Sequence, residues 1–511
     1  MKPWLACVLL LGLTLAGCAD DAPSSDAKLD PDEPPQATAP PTTAPPREPT
    51  AEPQPEPVTE PQPEPEPESE PPAEPEPEPE AETRDPFVVI AVVDSGINVY
   101  HEAFRRPELV AHPSTYIDGY PKDASAVSLT FGTGAVDDLA RADAVAWDAV
   151  KSNGQDLYWF PGTNIIGAKS HTPAERAILD DNGHGTGSAS VAAGTYGSCP
   201  DCLLVFIEGL GQYEWALEQP WIDIVTNSYG PCAPGVPGCA ARSPATPPLV
   251  FSGPTKDSSE AGQVVLFSSG NGHLNAYDVP QLTYAHAYTG PDWVVTVGAV
   301  FPGDQNSIAG AGKPVDLASY GRDWPAADEA SSDGEIRFSG TSCATPIAAG
   351  VFGQVLLEAR RALGDVQGGH QGGIVAEGTP VAGSPFLDDG ILTRAELYEL
   401  VTKTAVYPSA QGGWIYPTGV PATPADALHM GWGVVDANTA QAGVDWLLGG
   451  SIPASKPVAE AWMPVDSEIR QSIWGSWNGG EPGLRTAVTT PDELHVVFAS
   501  VLAAALHTPS N

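Results

Sequence analysis

The run Phe87-Val88-Val89-Ile90-Ala91-Val92-Val93 is apolar at every position and mostly β-branched. A strand with one face in water alternates polar and apolar residues, so an unbroken run fits a strand buried on both faces. Similar runs recur at residues 203–207, 222–225, 264–267 and 294–300. Small-residue stretches of helical character separate or follow them, notably residues 184–194 and 342–362. Strands alternating with helices predict an α/β fold built on a parallel sheet with crossover helices. In such sheets functional groups gather beyond the carboxyl ends of the strands, so the residues just after each run are the ones to inspect.

A different composition lies upstream. Residues 19–85 hold 21 of the 55 prolines, with 20 acidic against 3 basic residues. Proline fixes φ and removes a donor, and like charges repel, so this Pro-Glu and Pro-Gln tract predicts a disordered, extended tether. At polyproline II spacing its reach is on the order of 200 Å. Ahead of it stand Lys2, an apolar run over residues 5–15, and Leu15-Ala16-Gly17-Cys18. That run is too short to span a bilayer and reads as an export signal ending in a bacterial lipobox. On this reading Cys18 carries lipid and anchors an exported protein to the cell envelope. Ala19 in the next position points to the outer membrane if the source is Gram-negative. The expected organisation is a signal over 1–18, the tether over 19–85, a globular domain over 86–448 and an extension of unknown role over 449–511. The whole chain has net charge −42. Nucleic acid and anionic headgroups would both be repelled, so nucleic acid is not expected as a partner and membrane contact is expected only through the lipid.

Seven cysteines are present. Cys7 leaves with the signal and Cys18 is lipidated, which leaves Cys199, Cys202, Cys232, Cys239 and Cys343. Export favours two disulfides among the first four, with three pairings open, over the zinc site that the same spacing invites. A redox role for Cys199-Pro200-Asp201-Cys202 lacks the thioredoxin-like order of elements around it.

Four residues at element edges form a chemical set. Asp94 follows the first strand in Val92-Val93-Asp94-Ser95-Gly96, and His184 opens a helix in Asp181-Asn182-Gly183-His184-Gly185-Thr186-Gly187. Asn271 follows a strand in Ser268-Ser269-Gly270-Asn271-Gly272. Ser342 opens another helix in Ser339-Gly340-Thr341-Ser342-Cys343-Ala344-Thr345-Pro346, with Pro346 expected in its first turn. A serine hydroxyl becomes a nucleophile when an imidazole takes its proton, and a carboxylate beyond the imidazole fixes its tautomer. The Asn271 amide and the Ser342 backbone N–H supply donors for an oxyanion. Each motif alone is a common turn or helix entry; the four together, in this order, are not explained by turns.

These segments closely resemble those of the subtilisin-like serine proteases. The resemblance spans roughly residues 85–448, including Gly431-Trp432-Gly433-Val434-Val435-Asp436-Ala437, which is similar to the family's closing segment after a helix near 392–405. It implies a three-layer α/β sandwich with a central, mostly parallel sheet. It also implies a monomeric serine endopeptidase acting on polypeptides through an acyl-enzyme. Carried over, Asp94 orients and stabilises, His184 is general base and then acid, Ser342 attacks and Asn271 binds the oxyanion. Ser228, Tyr229 and Gly230 match the segment where an extended substrate adds as a strand, with Ser269 and Gly270 as further substrate contacts. The chemistry needs no cofactor. Structural calcium is common in the family, but no Asp-rich loop here matches a calcium pattern and no metal ligand is assigned.

Departures from the family mark points to check. Gly187 stands where His or Arg is usual after His-Gly-Thr. Cys343 replaces a methionine, either as a small buried apolar residue, the favoured reading, or as a thiol whose oxidation would crowd Ser342. Residues 111–161 read as an insertion, a lid or a surface decoration. Residues 231–248, with Cys232 and Cys239, read as a loop that shapes the cleft. The tether runs into the first strand with no segment long enough for the folded propeptide common in secreted members. That keeps a second reading open, a surface binding or scaffold protein that retains the fold without turnover.

Overall fold

Strand β1 (Val89–Asp94) is buried along its whole length. Val88, Ile90 and Val92 enter one apolar core, and Phe87, Val89, Ala91 and Val93 enter a second. The unbroken apolar run is therefore shared between two cores on opposite faces, as a strand's two-residue period requires. The computed structural model describes residues 85–150, 156–170, 178–209, 212–228, 252–269, 294–300, 315–406 and 430–451. The expected signal with Cys18, the tether up to residue 84, Cys232, Cys239 and the extension from residue 452 lie outside them.

Among the described residues eight more strands join β1: β2 (Ser125–Ala126), β3 (Tyr158–Trp159), β4 (Ile165–Ser170), β5 (Leu203–Glu208), β6 (Ile224–Asn227), β7 (Val264–Ser268), β8 (Val294–Val300) and β9 (Leu317–Tyr320). Their order is β2-β3-β4-β5-β1-β6-β7-β8-β9. From β4 to β9 every neighbouring pair is parallel, and β3 meets β4 antiparallel. Chain order runs outward from β1 through β6 to β9, whereas on the other side it starts at the edge strand β2 and returns through β3 and β4 to β5. The chain thus leaves β1 toward one edge and β6 toward the other, so the topological switch lies at their border. The five strands expected from apolar runs are all present.

The described α-helices are α1 (Val136–Ala142), α2 (Ala144–Asp148), α3 (His184–Ala193), α4 (Tyr213–Leu217), α5 (Ser252–Ala261), α6 (Thr341–Leu363), α7 (Arg394–Thr404) and α8 (Ala437–Leu447). Helices α3, α6, α7 and α8 share the core of Ile90 and Val92. Helix α4 covers the opposite face, and Tyr213 ties it to α5 through a 2.9 Å hydrogen bond with Thr255. The result is the expected three-layer α/β sandwich. Helices α3 and α6 are rich in small residues because they approach closely: a Cβ on Gly350 would lie 2.5 Å from the Ala192 carbonyl oxygen. Two antiparallel pairs complete the described strands, β10 (Trp324–Ala327) with β11 (Glu335–Phe338) and β12 (Ile374–Glu377) with β13 (Ile391–Thr393).

The segment 111–161 is neither a lid nor a loose decoration. It supplies β2 and β3, which extend the sheet, and it packs into the core. Trp147 is buried and donates through Nε1 to the Tyr100 hydroxyl (2.8 Å), which donates to Asp143 (3.0 Å). The closing segment expected at Gly431 also docks on the sheet: Trp432 N–H donates to the Asp316 carbonyl (2.8 Å) and Val435 N–H to the Ala318 carbonyl (2.8 Å).

At the amino-terminal end of the sheet, Arg360 from α6 is fully buried against Asp223. Its Nη2 and Nη1 reach the two Asp223 oxygens at 2.6 and 2.9 Å. Further bonds run to the carbonyls of Phe87 (2.7 Å), Gly369 (2.6 Å) and Val375 (2.8 Å), and Asp223 accepts from Val89 N–H (2.9 Å). One guanidinium thus clasps β1, the start of β6, β12 and the chain after α6. Asp365 stays 3.7 Å from Arg360 Nε, but removing Asp223 takes the two-point partner of a buried charge, so Asp223→Ala is expected to destabilise the protein by about 3 kcal/mol. The double replacement Asp223→Leu with Arg360→Met is expected to cost less than either single change, as read from urea unfolding midpoints.

Candidate active site

Asp94 ends β1, and Ser228 follows β6, its neighbour across the switch point. The sheet topology therefore delivers both to one crevice at the carboxyl ends of the strands. Asp94 is buried, with one oxygen accepting from His184 Nδ1 (2.7 Å) and from Ser95 N–H (2.8 Å). Its other oxygen is buried and has no partner among the described residues. The imidazole is therefore the carboxylate's main compensation for burial, and a strong hydrogen bond between them follows.

His184 is the first residue of α3, 90 positions from Asp94 in the chain. A third of its side chain stays exposed, and its ring meets Phe338 edge-on, with centroids 5.4 Å apart. Burial opposes protonation, but the hydrogen bond to Asp94, the charge of Asp94 and that of Asp180 outweigh it and hold the imidazole above its ordinary 6.5. Phe338 also accounts for Gly187. A Cβ there would sit 3.2 Å from the Phe338 ring, so the phenyl fills the space that a side chain would need.

Ser342 is buried in the first turn of α6, which begins at Thr341 behind Gly340, whose φ of +91° a side chain would oppose. Pro346 lies inside this helix and not in its first turn. Having no N–H, it cannot bond the carbonyl of Ser342 four residues back. The Ser228 hydroxyl takes that place, donating to the Ser342 carbonyl at 3.1 Å. The exchange is reciprocal, since Ser342 Oγ donates to the Ser228 carbonyl at 3.3 Å. Among the described residues no hydrogen bond joins Ser342 Oγ to His184. The link between Asp94 and His184 is thus formed, and the serine hydroxyl rests on the Ser228 carbonyl.

Ser269 follows β7, with its N–H on the Val297 carbonyl (2.9 Å) and its hydroxyl buried. Tyr229, Gly230, Gly270 and Asn271 lie outside the described residues, so the expected oxyanion and substrate contacts there have no described geometry. Cys343 is fully buried beside Val191, Phe338 and Ile347, and burial pushes its thiol well above the ordinary range. The small apolar role accounts for it. Cys199 and Cys202 form a disulfide, which selects among the pairings left open and displaces the zinc reading for this pair. No cluster of three metal-ligating side chains is found among the described residues.

Asp180 was not marked by the motifs, although it binds both loops of the site. It accepts from Ser95 Oγ (3.0 Å), Asn182 N–H (3.1 Å), Thr186 N–H (2.8 Å) and Thr186 Oγ1 (2.7 Å). In sequence it is the first residue of Asp180-Asp181-Asn182-Gly183, which reads as a polar turn. Its position four residues before His184 was the one available signal.

Comparison with known proteins identifies the family. The family model described as the subtilase family matches residues 86–367, more than half of the chain. Among solved structures, the prenylagaramide maturation protease PagA is similar at 16% identity, covering 72% of this chain and 96% of that one, with a TM-score of 0.38. A mutant of the protease domain of PatA is similar at 15% identity, covering 73% and 99%, with a TM-score of 0.37. No curated protein sequence matches the chain. With its family segment running from the strand that carries Asp94 past the helix that carries Ser342, the chain belongs to the subtilase family of serine-type peptidases.

Proposed function

We propose that the protein is an endopeptidase in which Asp94, His184 and Ser342 act as a triad, exported and held at the cell envelope by lipid on Cys18. The 2.7 Å bond from His184 Nδ1 to Asp94 carries the catalytic half of this reading, because it fixes the tautomer that leaves Nε2 free to take a proton. A peptide bond approaching the crevice draws the Ser342 hydroxyl away from the Ser228 carbonyl. As Ser342 Oγ bonds to the scissile carbonyl carbon, its proton passes to His184. The resulting oxyanion is held by the Ser342 N–H at the start of α6 and by the Asn271 amide. Collapse breaks the C–N bond, and the departing amine takes the proton from His184. Water repeats the sequence on the acyl-enzyme and returns free Ser342. Residues 228–230, with Ser269 and Gly270, receive the substrate as an added strand.

The anchoring half rests on the sequence of residues 15–18 and on the Pro-Glu tract behind them. A tether of that length would let a fixed protease sweep a volume around its anchor. Both the lipid and the export reading are tested by metabolic labelling with a fatty-acid probe, which Cys18→Ser should abolish.

Incubation of the full chain with a fluorophosphonate probe should label the wild type and not Ser342→Ala. A folded wild type that stays unlabelled would turn the reading toward a binding or scaffold protein. Asp94→Asn is expected to lower kcat by on the order of 10⁴-fold. Because His184 acts as a base only when neutral and is held above its ordinary value, activity should rise with a midpoint above pH 6.5. A midpoint below that value would contradict the assignment. Iodoacetamide should leave the activity unchanged, with Cys343 alkylated only after unfolding, as mapped by mass spectrometry.

A further inference from the structure

The reaction scheme makes no use of Asp180, yet the segments that carry Asp94 and His184 meet on its carboxylate. One oxygen accepts from Ser95 Oγ and the other from Thr186 N–H and Oγ1. Ser95 Oγ in turn accepts from Gly185 N–H (3.0 Å), and Thr186 Oγ1 accepts from Asn98 N–H (2.9 Å). Ser95 is the chain neighbour of Asp94, and Gly185 and Thr186 directly follow His184. Every link from the turn after β1 to the first turn of α3 in this set is either to Asp180 or to a hydroxyl that Asp180 holds.

The helix start explains why such a brace is needed. The N-cap of α3 is Gly183, at φ +84°, with no side chain to cap the first N–H groups. Those donors are left over by helix geometry and attract negative charge. Ser95 takes the one from Gly185 and Asp180 the one from Thr186. The surrounding backbone leaves little room for readjustment. A Cβ on Gly96 would fall 2.5 Å from the Asp180 Cα, and one on Gly185 would fall 2.2 Å from the Gly96 carbonyl oxygen.

We propose that Asp180 is a positioning residue for catalysis: acting through Ser95 and Thr186, it locks the first turn of α3 against the turn after β1 and so sets the contact between Asp94 and His184. This inference rests on Asp94 and His184 acting as described above. It assigns Asp180 no contact with substrate. Its charge has a second consequence, since Asp180 and Asp94 are the carboxylates that favour the protonated form of His184. Glu329, which lies against Gly183, is a further carboxylate that interacts with Asp180, and Asp328 lies beside Glu329.

The test compares full-length wild type, Asp180→Asn, Ser95→Ala and Ser95→Thr by the second-order rate of fluorophosphonate labelling across pH, per folded molecule. Displacements of about 1 Å at a reacting centre cost on the order of 10²-fold, so Asp180→Asn should lose roughly 10- to 100-fold at the plateau. Its pH midpoint should fall below that of the wild type. Ser95→Ala should lose part of the rate, and Ser95→Thr, which keeps the hydroxyl, should recover it. If wild type labels and folded Asp180→Asn keeps both its rate and its midpoint, the inference is overturned while the triad stands. Should Asp180→Asn fail to fold, Ser95→Ala decides: a lowered melting temperature with an unchanged labelling rate overturns the inference. A folded wild type that does not label overturns the triad and this inference together.

Discussion

The burial of β1 on both faces is the constraint from which the site follows. A strand whose alternate residues enter two separate cores must be interior to its sheet, with helices above and below. Parallel neighbours then have to be reached by crossovers on either side. The order β5-β1-β6 places the reversal of winding at the strand that ends in Asp94. The carboxylate is thereby delivered to the mouth of a crevice by apolar residues that have no chemical role.

Close packing of backbone then brings the other groups in. Helices α3 and α6 approach where Gly350 faces the Ala192 carbonyl, and the turn at Gly96 presses on both the Asp180 backbone and Gly185. Such contacts exclude even a methyl group, so the start of each helix has little freedom relative to β1. His184 and Ser342 both stand in the first turns of these helices; Ser95 and Asp180 take N–H groups of the first turn of α3, and the start of α6 favours a developing negative charge. Rigidity and electrostatics come from the same feature. The guanidinium of Arg360 closes the opposite end of the sheet, holding β1, β6 and β12 with one buried charge.

The hydrogen bonds around Pro346 and Ser228 show how a local irregularity is absorbed. A proline inside α6 frees the carbonyl of Ser342, and the Ser228 hydroxyl satisfies it. In return the Ser342 hydroxyl rests on Ser228. The helix that carries Ser342 and the segment that carries Ser228 are thus joined by two hydrogen bonds, one made possible by the missing N–H.

The apolar runs identified five strands, and helix starts with glycine neighbours located His184 and Ser342, because strand and helix periods and turn residues are properties of neighbours in the chain. Asp94, His184 and Ser342 could be named for the same reason, each sitting inside a short motif. Partners far apart in the chain were not readable in this way. Whether 111–161 formed a lid or a sheet edge depended on where Tyr158 and Trp159 found a neighbour, and that neighbour is β4. Asp180 looked like a turn residue because its partners Ser95 and Thr186 converge on it only once β1 and α3 are packed. The resting place of the Ser342 hydroxyl and the role of Gly187 under Phe338 were likewise decided by tertiary contact. A motif specifies which groups are present, whereas a hydrogen bond of about 3 Å depends on the mutual placement of whole elements, and only their packing sets that.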